Sequence, residues 1–380
     1  MQKVCVIGLG YIGLPLALLL SKYPYFVYGY DVDDYRVTLI NNEISPISEK
    51  GIDKKLLYAI QHRKLIASTE VNESDIYIIA VPTPLDYSFE SDQYTPNVSY
   101  VFSAIRAIKK YLKKDDLVII ESTCPVGTTE RIAEELASSI RVAYCPERVL
   151  PGNIFYELKN NDRVVGGINE ESTKAAYQFY RSFCEGNIHK TNSKTAEFVK
   201  LIENASRDVN IALANEIEAL AKEHEVNPIE AIALANKHPR VNILNPGIGV
   251  GGHCIPIDPV FLSYNSCNAR ILNVARNINK QKEHVVAKQI LEDIEKLDCK
   301  SIAILGMTYK ANVSDFRNSP ATNIALEIIS KYSGVVLIQD PFINEEELED
   351  ILDSVDYTVC LVKHSQYEDL VLDKGEYYVH

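Results

Sequence analysis

Three shortages bound what this 380-residue chain can be. Its eight cysteines (5, 124, 145, 184, 254, 267, 299 and 360) include no C-x-x-C pair. Five of them (Cys5, Cys124, Cys145, Cys299 and Cys360) lie in or beside strand-like runs, so neither disulfides nor structural zinc is expected, and no metal site is predicted. No apolar run reaches the about 20 residues needed to span a bilayer. The opening M-Q-K-V-C-V-I-G-L-G-Y-I-G-L-P has one lysine, is cut by three glycines and a proline, and offers no small-residue cleavage site, unlike a signal peptide. A reducing cytoplasm is the expected setting. Cations are scarce too: Lys plus Arg number 39 against 52 for Asp plus Glu, a formal charge of -13. That balance excludes a general nucleic-acid or anionic-membrane surface, so any anionic ligand must be held by local donors. The length predicts two or three domains with ample core.

What is present begins with a phosphate-binding pattern. A short apolar run over residues 3–7 leads into Gly8-Leu9-Gly10-Tyr11-Ile12-Gly13, then into an apolar helical pattern through Leu20; a second strand over 26–30 ends at Asp31. This is dinucleotide-binding order: glycines for a tight turn, pyrophosphate at the helix start, and an acid for the adenosine ribose. Asp31 favours NAD, since a 2′-phosphate would meet its charge. Further strands are predicted over 76–81, 117–121, 141–145 and 163–166, alternating with helices over 98–112 and 129–138, as in a doubly wound parallel sheet. Their ends lead into small, polar, proline-rich loops carrying Thr83, Thr123 and Glu147, on the rim where open α/β sheets bind ligands. Ordinary turn chemistry is the competing account of these loops.

From 193 to about 225 the pattern predicts one helix of about 45 Å, long enough to bridge domains. Lys200, Asn204 and Arg207 share one face of it. A solvated face, with Lys200 paired to Glu197 or Glu203, is the alternative. Asn is a poor residue in mid-helix unless its side chain has a task. Helices predicted over 228–236 and 268–297 bracket the run N-P-G-I-G-V-G-G-H-C-I-P-I-D-P (245–259), preceded by His238-Pro239-Arg240. Its four glycines allow a ligand close to the backbone and place Cys254 to be touched by substrate; a surface loop with a small buried thiol is the bland reading. Residues 301–340 repeat the strand, turn, helix and strand of the N-terminal unit without its three glycines, and 310–320 carries Lys310 and Arg317. The expected fold is therefore α/β: two Rossmann-like doubly wound domains (1–192 and 299–380) joined by a long central helix and a helical middle domain (193–298).

From end to end the chain resembles the UDP-glucose/GDP-mannose dehydrogenase family, through G-L-G-Y-I-G-L-P-L-A (8–17), V-P-T-P (81–84), E-S-T-C-P-V-G-T-T (121–129), K-L-I-E-N (200–204) and the Cys254 loop. P-E-R-V-L-P-G (146–152), N-D-R-V-V-G-G (161–167) and H-P-R-V-N-I-L (238–244) look like its N-acetylmannosamine branch. The resemblance implies oxidation of UDP-N-acetyl-D-mannosamine at C6 to the uronic acid, for polysaccharide synthesis, by two hydride transfers to NAD. It implies Cys254 as nucleophile, Lys200 as acid/base and electrostatic stabiliser, Asn204 as oxyanion or water donor, Asp258 and Glu147 as water-positioning groups, and Thr123 between cofactor and substrate. It adds Tyr11, Ile12, Arg36, Thr83 and Arg317 to the cofactor contacts. Arg148, Val149, Arg207, His238, Arg240, Gly251, Tyr309 and Lys310 would surround the UDP-N-acetylhexosamine, with Lys200 and Asn204, and the chain would pair with itself through the long helix. His253 beside Cys254 is not expected to be its base, because adjacent side chains point apart. Cys124 replaces a more usual aliphatic residue, and the end after G-E-Y-Y-V suggests an abbreviated last element. UDP-N-acetylglucosamine or UDP-glucose are alternative substrates, and a non-catalytic NAD-binding sensor is the alternative of another class.

Overall fold

The computed structural model describes residues 1–88, 93–150, 152–343, 348–370, 372 and 375–377. Pro151 of the P-E-R-V-L-P-G motif and residues 378–380 lie outside the described residues. Two compact units divide the chain: Met1–Ile202 with Val260–Tyr264, and Glu203–Pro259 with Asn265–His380.

In chain order the strands are β1 (Gln2–Ile7), β2 (Tyr25–Tyr30), β3 (Leu65–Ser68), β4 (Ile76–Ile79), β5 (Leu85–Ser88), β6 (Gln93–Pro96), β7 (Leu117–Ile120), β8 (Arg141–Tyr144), β9 (Arg163–Gly167), β10 (Ile188–Asn192), β11 (Ser301–Leu305), β12 (Val335–Gln339), β13 (Tyr357–Cys360) and β14 (Gly375–Tyr377). The first unit holds an eight-stranded sheet, β10-β9-β8-β7-β4-β1-β2-β3, and an antiparallel hairpin, β5-β6. Its central strands are apolar throughout because both faces are covered. Val4 and Val6 join one core with Leu14, Leu18 and Val27, while Cys5 and Ile7 join the other with Tyr77, Val101 and Ile105.

The sheet departs from the wholly parallel expectation at one place. β9 runs antiparallel to β8, and β10 follows β9 in parallel. Among its described residues the connection between β8 and β9 contains only the short helix Ile154–Asn160, and its two ends meet at the carboxyl end of β8, so the chain returns without crossing the sheet. The strand β10, I-H-K-T-N, escaped the sequence reading because it is a half-exposed edge with no apolar run.

The second unit holds the sheet β12-β11-β13-β14, all parallel, with the helix Pro320–Lys331 after β11. Ile302 and Ile304 face one core, Ala303 and Leu305 the other. The helix Ser193–Glu223 runs unbroken for 31 residues, as predicted to within two residues of its end. In this unit it meets the helix Arg270–Lys296 along a polar seam. Asp208 accepts from Arg276 at 2.6 Å and Asn279 at 2.8 Å, Asn215 donates to Asn279 at 3.0 Å, and Lys282 pairs with Glu218. Such buried polar groups fix one helix register, since a slip would leave each of them unpaired.

Candidate active site

The N-terminal turn is built to bring a ligand to backbone. Gly8 sits at φ +93°, and a β-carbon on Gly13 would lie 1.8 Å from the Gly8 carbonyl, so helix and strand close up only with glycine there. A β-carbon on Gly10 would meet nothing within 4 Å, leaving a cradle over the turn. Tyr11 and Ile12 stand at the start of the helix Gly13–Leu20, which no side chain caps among the described residues. The Leu14 N–H turns back to the Gly10 carbonyl at 3.1 Å and Pro15 has none, so what this helix start offers a phosphate is the Gly13 N–H and the helix dipole. At the end of β2, Asp31 Oδ2 accepts the Leu9 N–H at 2.8 Å and Oδ1 the Asp33 N–H at 3.0 Å; Arg36 pairs with it at 3.0 Å. Uncapped helix start, open cradle and anchored acid fit a bound dinucleotide.

Beyond β4 lies half-buried Thr83, and its loop is tied to the next by the Ser122 hydroxyl, which donates to the Val81 carbonyl at 2.7 Å. The loop bearing Thr123 is fixed by a residue the sequence reading used differently. Glu197, offered above as a partner for Lys200, is fully buried. It accepts the N–H of Gly127 at 2.6 Å and both the N–H and hydroxyl of Thr129, at 2.7 and 2.6 Å. Burial pushes its carboxyl up, opposed by those donors. Lys200 follows one turn on and is itself buried, so the solvated-face reading does not hold for it. Cys124 is also buried, its thiol pushed well up by burial and then by Glu197, which makes it inert rather than a rival nucleophile. Glu147 follows β8. Its Oε1 accepts the N–H groups of Arg148 at 2.6 Å and Val149 at 2.9 Å, so the carboxylate shapes its own turn.

In the second unit, Cys254 is exposed. Its carbonyl accepts the N–H groups of Ile257 and Asp258 at 3.1 and 2.9 Å, a tight turn that opens the helix Asp258–Ser263. Asp258 is 1% exposed and accepts from Asn204 Nδ2 at 2.6 Å, so the mid-helix asparagine does have a task. Gly252, at φ +86°, would carry a β-carbon 2.9 Å from the Tyr309 ring, and one on Gly251 would lie 2.6 Å from the Asn318 carbonyl. The Cys254 loop is thus pressed onto the stretch after β11. Its start is held as well: Asn215 accepts the Gly247 N–H at 2.9 Å, linking it to the polar helix seam. His253 turns to Asp315 at 2.8 Å, as does Arg317 at 2.8 Å. Burial works to raise the Asp315 carboxyl, and the bonds from Arg317 and His253 outweigh it, leaving it below the usual range. Arg207, His238, Arg240 and Lys310 are exposed, and Tyr309 is half-buried.

The structure thus joins Asn204 to Asp258 and Gly251 to Tyr309, and places Thr123, Glu147 and Lys200 in the first unit. Glu197, Asp208 and Asn215 were missed as positioning groups. The available signal was polar residues recurring at helical spacing on the same stripe as Leu201, Ala205 and Ala212.

Three family models cover most of the chain. They are the UDP-glucose/GDP-mannose dehydrogenase family's NAD binding domain at residues 2–184, its central domain at 194–281 and its UDP binding domain at 303–378. A UDP-N-acetyl-D-mannosamine dehydrogenase of Methanococcus aeolicus is 45% identical, over 97% of this chain and 86% of the relative. An NDP-N-acetyl-D-galactosaminuronic acid dehydrogenase of Ralstonia nicotianae is 40% identical over 98% and 93%. Among solved structures, the UDP-D-ManNAc dehydrogenase of Pyrococcus horikoshii superposes with a TM-score of 0.91 at 40% identity, covering 97% of this chain and 91% of that one. Among the described residues no helix is long and apolar enough to cross a membrane.

Proposed function

The chain belongs to the UDP-glucose/GDP-mannose dehydrogenase family and is an NAD-dependent UDP-sugar dehydrogenase, and from this premise we propose that it oxidises UDP-N-acetyl-D-mannosamine at C6 to UDP-N-acetyl-D-mannosaminuronic acid. The observation that carries the choice of sugar is the 45% identity, over nearly the whole chain, to a dehydrogenase named for that substrate.

NAD supplies the acceptor for both hydrides; the chain's own residues manage protons and the intermediate. Lys200 takes the C6 hydroxyl proton as the first hydride leaves. The Cys254 thiolate then adds to the aldehyde carbon, forming a C–S bond, and the tetrahedral oxyanion is stabilised by Lys200 and by Asn204. Loss of the second hydride leaves a thioester, and water cleaves its C–S bond to release the acid and the thiol. A free aldehyde would hydrate or escape, which is the reason to hold it covalently. Asp258 positions or activates that water, and its bond to Asn204 at 2.6 Å supports the pairing of these tasks. The sequence places Glu147 in the same step; with Oε1 already accepting two backbone N–H groups, its part is to shape the Arg148–Val149 turn. Thr123 stands between cofactor and sugar, with Arg207, His238, Arg240, Gly251, Tyr309 and Lys310 on the sugar nucleotide, and Arg36, Thr83 and Arg317 on NAD. The division 1–192, 193–298 and 299–380, a homodimer through the long helix, a cytoplasmic location and supply of a polysaccharide complete the reading.

A second reading has a specific relative behind it: the Ralstonia enzyme named for an N-acetylgalactosaminuronic acid product makes another epimer the nearest competitor. Initial rates of NADH formation with UDP-N-acetylmannosamine, UDP-N-acetylgalactosamine, UDP-N-acetylglucosamine and UDP-glucose decide between them. The expected result is preference for the first, two NADH per sugar, and acid detected by mass. Cys254→Ala is expected to bind NAD and sugar without completing acid formation; undiminished acid yield from it overturns the nucleophile.

A further inference from the structure

The motif N-D-R-V-V-G-G has so far been given no task. Its arginine opens β9, and the antiparallel pairing of β8 with β9 sets Ala143 opposite Gly167 and Tyr144 opposite Gly166. Carried a few residues further, that register brings position 163 beside position 147. Arg163 is only 4% exposed, and its guanidinium turns inward. Nη2 lies 3.6 Å from Glu147 Oε2 and Nη1 3.9 Å from Glu121 Oε1. Nη2 also donates to the Leu158 carbonyl at 3.3 Å, and the flat face covers the Tyr180 ring at 4.8 Å. Tyr180 in turn donates to Glu121 at 2.5 Å.

One cation and two carboxyl groups are thus sealed together beside the rim. Desolvation makes such a cluster expensive, and well-packed apolar residues would hold the strands together at least as well. Stability alone does not account for it. The proton balance is uneven: burial, and next the charge of Glu147, push the Glu121 carboxyl up to about 7, against the pull of Arg163. On the far side Glu147 ends the cluster, and its Oε1 carries the N–H groups of Arg148 and Val149. From Arg163 the contact chain runs through that carboxylate to the Arg148–Val149 turn.

We propose that Arg163 is a positioning residue for the dehydrogenase reaction: it holds the Glu147 carboxylate beneath the Arg148–Val149 turn, so that the turn meets the nucleotide sugar in one fixed conformation. The inference rests on the reading that this turn contacts the sugar. The pyrophosphate and adenosine ribose of NAD, assigned to the glycine turn and Asp31 at the β1 to β2 end of the sheet, do not depend on this turn.

The test compares the full-length protein with Arg163→Met, Arg163→Lys, Glu147→Gln and the Arg163→Met/Glu147→Gln pair. Steady-state rates are taken with whichever UDP sugar the wild type oxidises, and NADH affinity is read by fluorescence. Loss of a charge-assisted contact predicts KM for the sugar nucleotide raised about 10- to 100-fold in Arg163→Met, with a smaller change in kcat. NADH affinity stays within about twofold, because the cofactor turn is separate. Arg163→Lys recovers part of the loss by restoring the cation. The double variant loses no more than the worse single one, because both changes break one contact. An unchanged KM, effects that multiply, or an equal fall in NADH affinity overturns the proposal. Should Arg163→Met not fold, Arg163→Lys and Glu147→Gln carry the same comparison, and normal KM in both overturns it. Failure of the wild type to oxidise any UDP sugar sinks the functional reading together with this inference; turnover with an unmoved KM sinks the inference alone.

Discussion

The two nucleotide-binding halves share a scaffold and differ in what covers it. In the first, β2-β1-β4-β7 runs side by side; in the second, β12-β11-β13-β14 repeats the order. Each has a left-handed glycine after its first strand, Gly8 at φ +93° and Gly306 at φ +78°. Each sends the next N–H to an acid ending the second strand: Leu9 to Asp31 at 2.8 Å, Met307 to Asp340 at 2.7 Å. There the likeness stops. Asp31 pairs with the partly exposed Arg36, whereas Asp340 is fully buried under His364, whose Nε2 lies 3.2 Å away. His364 Nδ1 accepts the Asn312 N–H at 2.9 Å, so the ring proton sits on Nε2 and faces Asp340 and Thr308. The first helix follows its glycine at once and is uncapped; the second begins at Pro320, after a long insertion, and is capped by Ser319. An acid shared by fold thus pairs with a partly exposed arginine in one half and is sealed under a buried histidine in the other, and the proposed function assigns only the first to recognition. That difference agrees with the NAD-binding and UDP-binding domain matches.

Exchanging the role of the acid is the sharpest way to break this comparison. Asp31→Ala removes a charged hydrogen-bond acceptor and frees Arg36, so NADH affinity is expected to fall about 10- to 100-fold, with UDP affinity kept within about twofold. Fluorescence titration with NADH and calorimetric titration with UDP measure the two. A parallel loss of UDP affinity would mean that Asp31 holds the fold rather than the cofactor.

Asp340→Asn should do the reverse. It puts an amide where Met307 N–H and His364 both donate, at a fully buried position, which predicts a loss of about 2–4 kcal/mol in urea unfolding and unchanged NADH affinity. The pH dependence has a definite sign. Burial works to raise the Asp340 carboxyl, but the bonds from His364, Met307 N–H and Phe342 N–H prevail and lower it. Its contribution is therefore complete above the unfolded carboxylate value of about 3.9 and is lost as pH falls through the lower folded value. In the asparagine variant that acid-side slope should flatten. An unchanged slope would assign acid lability to other carboxyls.

The first half was the more legible because its signals are local. Three glycines at fixed offsets, strand before and helix after, with Asp31 at the next strand end, can be read from 31 consecutive residues. The unbroken length of the long central helix was legible for the same reason. What was not legible depends on register between distant segments. Nothing local announces that Arg163 reaches Glu147, since that follows from β9 turning antiparallel. Nor does the sequence tell that Glu197 lies beneath Gly127 and Thr129, or that His364 lids Asp340. The expectation that Glu197 might neutralise Lys200 used the correct helical spacing, but the carboxylate's oxygens were taken by a loop about 70 residues away in sequence.

The smallest effect tests the helix starts. Ser319 Oγ accepts the Thr322 N–H at 3.4 Å, and Pro320 occupies the first turn, so the second helix has its leading donors partly satisfied by its own chain. The first helix has Ile12 at its cap position, with no side-chain acceptor, and among its first residues only the Gly13 N–H is left to a ligand, the Leu14 N–H being held by the Gly10 carbonyl. Ser319→Ala is expected to cost about 1 kcal/mol of stability, read as a shift in the urea midpoint, with no change in NADH affinity. Ile12→Ser sharpens the contrast, because a hydroxyl there finds no donor to cap: the Leu14 N–H is held by the Gly10 carbonyl at 3.1 Å and Pro15 has none, so neither stability nor NADH affinity should rise. A stabilisation of Ile12→Ser as large as the loss in Ser319→Ala would show that the first helix start can be capped by its own chain, and the distinction between a capped and an uncapped half would then lose its functional meaning.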